Sequence, residues 1–141
     1  MRARGFILGV ILAAAAGAEP SRSAYVVIVY PKAPVTRLER KFLAEIFLRR
    51  ATRWPDDSPI RPVDLGPDSP ARGRFSQEIL ARSVASVKSY WQQRIFSGEG
   101  LPPPELDHDD AVVSWVASHP GAIGYVAAGT AIDGARAVDV N

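Results

Sequence analysis

Cysteine is absent from this chain of 141 residues, which also has only two histidines and one methionine. Without cysteine there are no disulfide bonds and no thiol chemistry, so the stability of the fold depends on a hydrophobic core. The sequence also lacks a phosphate-binding P-loop, a dinucleotide-binding glycine motif and the G-x-S-x-G turn of hydrolases. These absences exclude most of the enzyme classes that short motifs identify.

No apolar run in the sequence reaches the length that a membrane-spanning helix needs. The longest run, residues 6–16, follows two arginines near the N-terminus and ends in the small residues Ala16-Gly17-Ala18. This pattern is typical of a cleaved signal peptide and predicts a signal over residues 1–18 and an exported domain over residues 19–141. An uncleaved membrane anchor is the alternative, which a run shorter than about 18 residues disfavours.

The small excess of basic residues belongs to the predicted signal peptide. The chain has 17 lysines and arginines against 15 aspartates and glutamates, and Arg2 and Arg4 account for the difference. Residues 19–141 are therefore formally neutral. This balance gives no support for a nucleic-acid partner, and after cleavage no stable membrane span is expected.

The spacing of apolar residues predicts alternating strands and helices. Strands are predicted over residues 25–30, 60–65 and 122–127, with a short edge strand over residues 136–140. Four helices are predicted from their start signals, which are a capping box of Thr36 and Glu39, Pro70 in a first turn, Ser86 as a cap, and Asp107 with Asp110. This order predicts an α/β fold, a single layered domain with a mixed sheet flanked by helices.

The third predicted helix carries the aromatic pair Tyr90-Trp91 between Val87 and Ile95. The spacing of Val87, Trp91 and Ile95 places them on one helical face. We therefore expect Trp91 to be buried against the sheet rather than to stack on a ligand.

The two histidines give no basis for catalysis. A hydrolase needs a nucleophile, a base and an orienting group, and no such set is evident. His108 lies in the cluster Asp107–Asp110, whose consecutive side chains would point to different sides of a helix start and complement its dipole rather than bind a metal. His119 precedes Pro120, where a helix must end. The sequence predicts no enzyme activity, no cofactor and no metal.

The turn into the second helix is the one candidate binding site. Backbone N–H groups at a helix start, the helix dipole, the hydroxyl of Ser69 and the guanidinium groups of Arg72 and Arg74 could together bind an oxyanion. On the residues alone the favoured alternative is that Ser69 or Asp68 caps the helix and the arginines are solvated, because such caps open many helices.

Several local motifs follow one another in an improbable order. They are Ile46-Phe47-Leu48, Trp54-Pro55-Asp56, Tyr90-Trp91, Ile95-Phe96-Ser97-Gly98, Leu101-Pro102-Pro103-Pro104 and Pro120-Gly121-Ala122-Ile123-Gly124-Tyr125-Val126. Over residues 25–126 the chain resembles one lobe of a phosphate-type substrate-binding protein of ABC transporters, a type-2 periplasmic binding protein. The resemblance implies a secreted or periplasmic, non-catalytic protein that binds phosphate or a related oxyanion and is associated with ABC-type phosphate uptake.

The resemblance also implies which residues hold the ligand. In the family, a Ser-Gly-Thr type motif at this strand-to-helix turn wraps the anion, often with an arginine close by. Ser69 matches the serine, whereas Pro70 and Ala71 replace the glycine and the threonine and remove one N–H donor and one hydroxyl. Asp68 stands where the family has a glycine. The ligand-binding set implied here is Asp68, Ser69, Arg72 and Arg74, with Arg72 as the compensating anion contact.

The family's receptors close two lobes around phosphate, and this chain has length for one. A micromolar site needs about 8 kcal/mol and a millimolar site about 4 kcal/mol, so an open half-site predicts weak binding. The alternative is an interaction module that keeps the lobe fold and contacts another envelope protein. An exposed apolar patch on the side of the missing lobe would favour that alternative.

Overall fold

A computed structural model describes residues 23–141, so the predicted signal peptide lies outside the described residues. Along this range the helices and strands follow in the order β1 (Tyr25–Val29), β2 (Arg37–Leu38), α1 (Arg40–Phe47), β3 (Arg61–Pro62), β4 (Asp64–Leu65), α2 (Pro70–Ile79), α3 (Val84–Phe96), β5 (Glu105–Leu106), α4 (Asp109–Ser118), β6 (Ala122–Ala127), β7 (Arg136–Ala137) and β8 (Asp139–Val140).

The main sheet has four strands in the order β3-β6-β1-β7. Strand β1 pairs antiparallel with both β6 and β7, whereas β3 pairs parallel with β6. Two short parallel pairs, β2 with β8 and β4 with β5, lie beside it. The predicted α/β domain with a mixed sheet flanked by helices is therefore confirmed.

The core is built on the two faces of strand β6. On one face, the Tyr125 ring stacks on Phe75 of α2 at a centroid distance of 3.9 Å and contacts Phe47 of α1 at 5.7 Å. Its neighbour Gly124 meets α4 on the opposite face, because successive residues of a strand point to opposite sides. Helices α1 and α2 therefore cover one side of the sheet and α4 covers the other.

Gly121, just before β6, and Gly124, within it, are required for different structural reasons. Gly121 has a φ of +84°, and a Cβ there would lie 2.2 Å from the carbonyl oxygen of Pro59. The indole Nε1 of buried Trp54 donates to the carbonyl of Gly121 at 3.2 Å. A Cβ on Gly124 would lie 2.8 Å from Val112, so only glycine lets α4 approach the strand this closely. The Trp54 loop and the Pro120–Val126 motif therefore form one packed unit.

Three predicted helix starts differ from the structure. Thr36 and Glu39 form no capping box, because the chain pairs as strand β2 first and α1 begins after Glu39, whose side chain makes no cap hydrogen bond. Ser86 does not cap α3. Instead Ser83 is the N-cap, and its hydroxyl accepts a hydrogen bond from the N–H of Ser86 at 3.1 Å. Helix α4 begins at Asp109 rather than at Asp107.

Two predicted strands are each divided between sheets. Residues 60–65 form β3 in the main sheet and β4 in a separate pair, because the N–H of Val63 donates to Ile123 while that of Asp64 donates to Pro104. Residues 136–140 likewise form β7, which pairs with β1, and β8, which pairs with β2. Hydropathy cannot reveal such a change of partner.

The predicted burial of Trp91 is confirmed, since its side chain is 6% exposed. Apolar residues continue beyond Trp91 at the end of α3 and in the loop after it, where Ile95, Phe96 and Leu101 are 49%, 95% and 67% exposed. We call Ile95, Phe96 and Leu101 the α3-end patch.

Candidate functional site

Ser69 lies at the N-cap of α2, as the sequence predicts. Its hydroxyl oxygen accepts a hydrogen bond from the N–H of Arg72 at 3.4 Å, and Pro70 occupies the first helical position. The N–H of Gly73 donates to the carbonyl of Ser69. Over residues 23–141, the N–H of Ala71 has no backbone acceptor, but Ala71 is 3% exposed and does not line the depression described below.

Arg72 is buried rather than solvated, so the alternative of solvated arginines is wrong at this position. Its side chain is 4% exposed, and Nη1 donates to the carbonyl of Leu65 at 2.5 Å and to Oε1 of Glu105 at 3.1 Å. The same nitrogen lies 3.5 Å from a carboxylate oxygen of Asp64. Asp64 and Glu105 are paired residues of β4 and β5, so the strand pairing itself brings both carboxylates to Arg72.

Asp64 connects this ion pair to the core. The hydroxyl of Tyr125 donates a hydrogen bond to the Asp64 carboxylate. Burial raises the pKa of Asp64 to about 6, although Arg72 and the Tyr125 hydroxyl favour its charged form. Burial, together with the neighbouring carboxylate, also raises the pKa of the Tyr125 hydroxyl. The arginine predicted to contact an anion therefore neutralises carboxylates of the protein itself.

Arg74 and Asp68 lie apart from this network. Nη2 of Arg74 is 3.5 Å from Oε1 of Glu78, whose other oxygen accepts a hydrogen bond from the Tyr25 hydroxyl at 2.9 Å. These three residues line a groove on another part of the surface, which Ser69 does not line. Asp68 is exposed at the turn. Of the four predicted site residues, the structure places only Ser69 at the depression described next.

Two helix starts open onto one shallow surface depression of about 630 Å³, which we call the helix-start depression. Its walls come from the starts of α2 and α4 together with the ends of β4 and β6. The lining residues are Leu65, Ser69, Pro70, Asp107, His108, Asp109, Asp110 and Thr130. The N–H of Gly66 donates to the carbonyl of Leu106 at 3.0 Å and holds the two helix starts beside each other.

Carboxylates ring this depression. The Asp109 side chain accepts a hydrogen bond from the N–H of Ala127 at 3.1 Å, and Asp110 accepts one from the N–H of Ala111 at 2.9 Å. Asp107 lies against Gly66, where its Oδ1 would be 2.9 Å from an added Cβ. Sequence reasoning assigned these aspartates to a helix dipole and missed their position opposite Ser69. Only the pairing of β4 with β5 brings them there.

The family profile of the PBP superfamily domain matches residues 21–140. The chain belongs to the PBP superfamily. The family expected from the sequence is therefore confirmed. No curated protein matches the sequence.

Several solved structures share the fold. An ABC-type phosphate transport receptor from Vibrio cholerae superposes with a TM-score of 0.66 at 18% identity, over 83% of this chain and 46% of that one. A putative phosphate ABC transporter substrate-binding protein with bound phosphate from Clostridium perfringens gives 0.65 at 23% identity, over 83% and 44%. PstS from Borrelia burgdorferi gives 0.65 at 17%, over 84% and 47%. The chain thus spans less than half the length of these relatives.

Two further observations concern the described range. None of its helices combines the length and the apolar character that crossing a bilayer requires. Within residues 23–141, no group of three or more carboxylate or imidazole side chains is arranged to hold a metal ion.

Proposed function

We propose that this protein is an exported, non-catalytic solute-binding lobe that captures phosphate or a related oxyanion reversibly and weakly at the helix-start depression. The observation that carries the proposal is the convergence of two helix N-termini with the hydroxyl of Ser69 in one depression. The hydroxyl of Thr130 also lines the depression but donates its hydrogen to the carbonyl of Ala127 at 2.6 Å. Both helix dipoles present their positive ends there, which favours an anion. Its place in the cell is the periplasm or envelope, beside an ABC-type phosphate transporter.

Weak binding follows from what the depression lacks. Pro70 supplies no N–H, and Arg72, the nearest guanidinium in sequence, is occupied by Asp64 and Glu105. The depression is also open to water, which competes for each hydrogen bond. We expect a dissociation constant in the millimolar range, which corresponds to about 4 kcal/mol.

The carboxylates define which anion this site accepts. Asp107 and Asp110 repel a fully ionised anion, but each can accept a hydrogen bond from one that still carries a proton. Phosphate near neutral pH carries a proton, whereas sulfate does not. The depression should therefore bind phosphate in preference to sulfate, since sulfate would leave acceptors facing acceptors.

Calorimetric titration of residues 19–141 with millimolar phosphate tests the proposal. Ser69→Ala removes the hydroxyl and should weaken binding about fivefold, the cost of about one hydrogen bond. Ser118→Ala is the matched control, because Ser118 is exposed at the far end of α4 and its hydroxyl donates within the helix. No saturable heat with phosphate, or equal affinity in Ser69→Ala and wild type, would contradict the proposal.

A second candidate function rests on the α3-end patch. Phe96 is 95% exposed and forms with Ile95 and Leu101 an apolar patch of the kind that contacts another protein. The occupant that we propose for this patch is a second copy of the lobe. Sedimentation of wild type and Phe96→Ser tests this function. A dimer that Phe96→Ser dissociates supports it, and a monomer at every concentration excludes it.

A further inference from the structure

Three arginines surround the ring of Tyr90 on the surface of α3. The guanidinium carbons of Arg82, Arg94 and Arg50 lie 4.9, 5.1 and 5.9 Å from the ring centroid. These distances are within the range of cation–π attraction, which holds guanidinium groups against an aromatic face without using their N–H donors. We call Arg50, Arg82 and Arg94 the Tyr90 arginine cluster.

The positive charge of this cluster is largely unneutralised by the protein. Across residues 23–141, the ion pair of the cluster joins Arg94 to Glu99 at 3.4 Å, and Arg50 and Arg82 have no carboxylate within salt-bridge distance. Three like charges repel one another, so an arrangement that gathers them costs free energy unless an anion is bound. This contrasts with Arg72, whose charge is neutralised by two carboxylates.

The ring and the backbones that carry the arginines are fixed in place. The Tyr90 ring packs edge-on against buried Trp91 at 5.1 Å. Both backbone groups of Arg82 bond to Ser76 of α2, and the N–H of Arg50 donates to the carbonyl of Glu45 at 2.8 Å. The ring and the backbone positions from which the arginines extend are therefore preorganised, which lowers part of the entropic cost of binding.

A groove of about 440 Å³ is lined by Tyr90 and, of the three arginines, by Arg82 alone, while Arg50 and Arg94 approach the same ring from outside the groove lining. Its other lining residues are Ala85, Ser86, Ser89 and Gln93, which offer two hydroxyls and an amide as further donors. The groove shares no residue with the helix-start depression.

We propose that the Tyr90 arginine cluster and this groove form a second binding site, which takes a phosphomonoester dianion. Two uncompensated guanidinium groups match a group with a charge near −2 and three acceptor oxygens, whereas a carboxylate would neutralise only one of them. Planar guanidinium forks also bind phosphoryl oxygens in bidentate fashion. The site is independent of the proposed function, because none of its residues lines the helix-start depression.

Two probes distinguish the possible sources of the phosphoryl group. Glycerol 3-phosphate represents a soluble phosphomonoester, and phosphatidylcholine vesicles with and without phosphatidate represent a lipid headgroup. Binding of residues 19–141 is measured at low salt by two-dimensional NMR for the first and by co-sedimentation for the second. Either probe should bind, and the stronger one identifies the source.

Arg50→Gln and Arg82→Gln should each weaken that binding by about tenfold, as expected for the loss of a charge-assisted contact. Arg53→Gln is the matched control, since it removes one exposed arginine that already pairs with Asp57 and should leave the affinity unchanged. Arg50 is itself exposed, so Arg50→Gln tests the contribution of the cluster even if Arg82→Gln does not fold.

Failure of both probes to bind overturns the proposal, as does equal weakening of binding in all three variants. Binding of inorganic phosphate that is lost in Ser69→Ala but kept in Arg50→Gln would report on the helix-start depression and not on the Tyr90 arginine cluster.

Discussion

The helix-start depression and the Tyr90 arginine cluster both offer hydrogen-bond donors to an anion, but different charges surround those donors. Around the depression the nearby guanidinium group of Arg72 is buried with Asp64 and Glu105, and Asp107, Asp109 and Asp110 line the surface. Around Tyr90 two arginines have no carboxylate partner among the described residues. The depression has two helix N-termini, whereas the cluster has the uncompensated charge.

This difference shows that an arginine close to a binding motif in sequence is not thereby part of the site. Arg72 lies three residues after Ser69, yet the first turn of α2 directs it beneath the surface towards β4 and β5. Arg50, Arg82 and Arg94 are far apart in sequence, and only the packing of α3 beside α1 and α2 gathers them. Burial and neutralisation, not sequence distance, decide which arginine can bind a ligand.

The largest expected effect is a loss of stability on removal of Trp91, the buried residue that packs against the Tyr90 ring. Trp91→Ala should lower the free energy of unfolding by about 3–5 kcal/mol, because it removes a large side chain that is 6% exposed and carries the Tyr90 ring. Urea unfolding measures this loss. Phe96→Ala is the control on the same helix, and its loss should stay below about 0.5 kcal/mol because Phe96 is exposed. A loss of unfolding free energy under about 1 kcal/mol for Trp91→Ala would show that Trp91 is not buried in the packing of α3 described above.

The next effect compares an arginine from each region. Arg72→Gln should cost about 3 kcal/mol of unfolding free energy, because it leaves the buried Asp64 carboxylate without its ionic partner. Arg50→Gln, an equal loss of charge at an exposed position, should cost less than about 0.5 kcal/mol. Chemical denaturation of both variants at pH 7 gives the two values. Equal values would remove the distinction between a structural arginine and a ligand-binding one.

A smaller effect follows from the buried carboxyl beneath the depression. Since burial raises the pKa of Asp64 to about 6, the native state holds this proton more tightly than the unfolded state, whose pKa is near 4. The stability from this group is complete below about pH 4 and is lost as the pH rises through about 6. Asp64→Asn should flatten the stability profile between these pH values. A wild-type profile that rises with pH there, with no difference from Asp64→Asn, contradicts the assignment.

The sequence predicts secondary structure and burial well where neighbouring residues determine them, and poorly where they depend on which strands pair. Strand β1, the Pro70 start of α2 and the burial of Trp91 follow from β-branched runs, proline geometry and helical spacing. The change of sheet at Val63 depends on which carbonyl accepts its N–H, and no pattern in residues 60–65 records that choice. The burial of Arg72 depends on the same choice, since it places Asp64 opposite Glu105.

The smallest expected effect concerns Asp68, which is exposed and does not line the helix-start depression. A carboxylate at this turn repels a bound oxyanion through water, so Asp68→Asn should strengthen phosphate binding about two- to threefold at low salt, and less at high salt. If Asp68 instead accepted the proton of phosphate, the variant would weaken phosphate binding and leave sulfate binding unchanged. Calorimetric titration of both anions into wild type and Asp68→Asn separates the two arguments. Repulsion predicts a gain for sulfate at least equal to that for phosphate, because sulfate is fully ionised. Equal weakening of both anions would contradict repulsion and acceptance alike, and would favour the α3-end patch as the functional surface of this lobe.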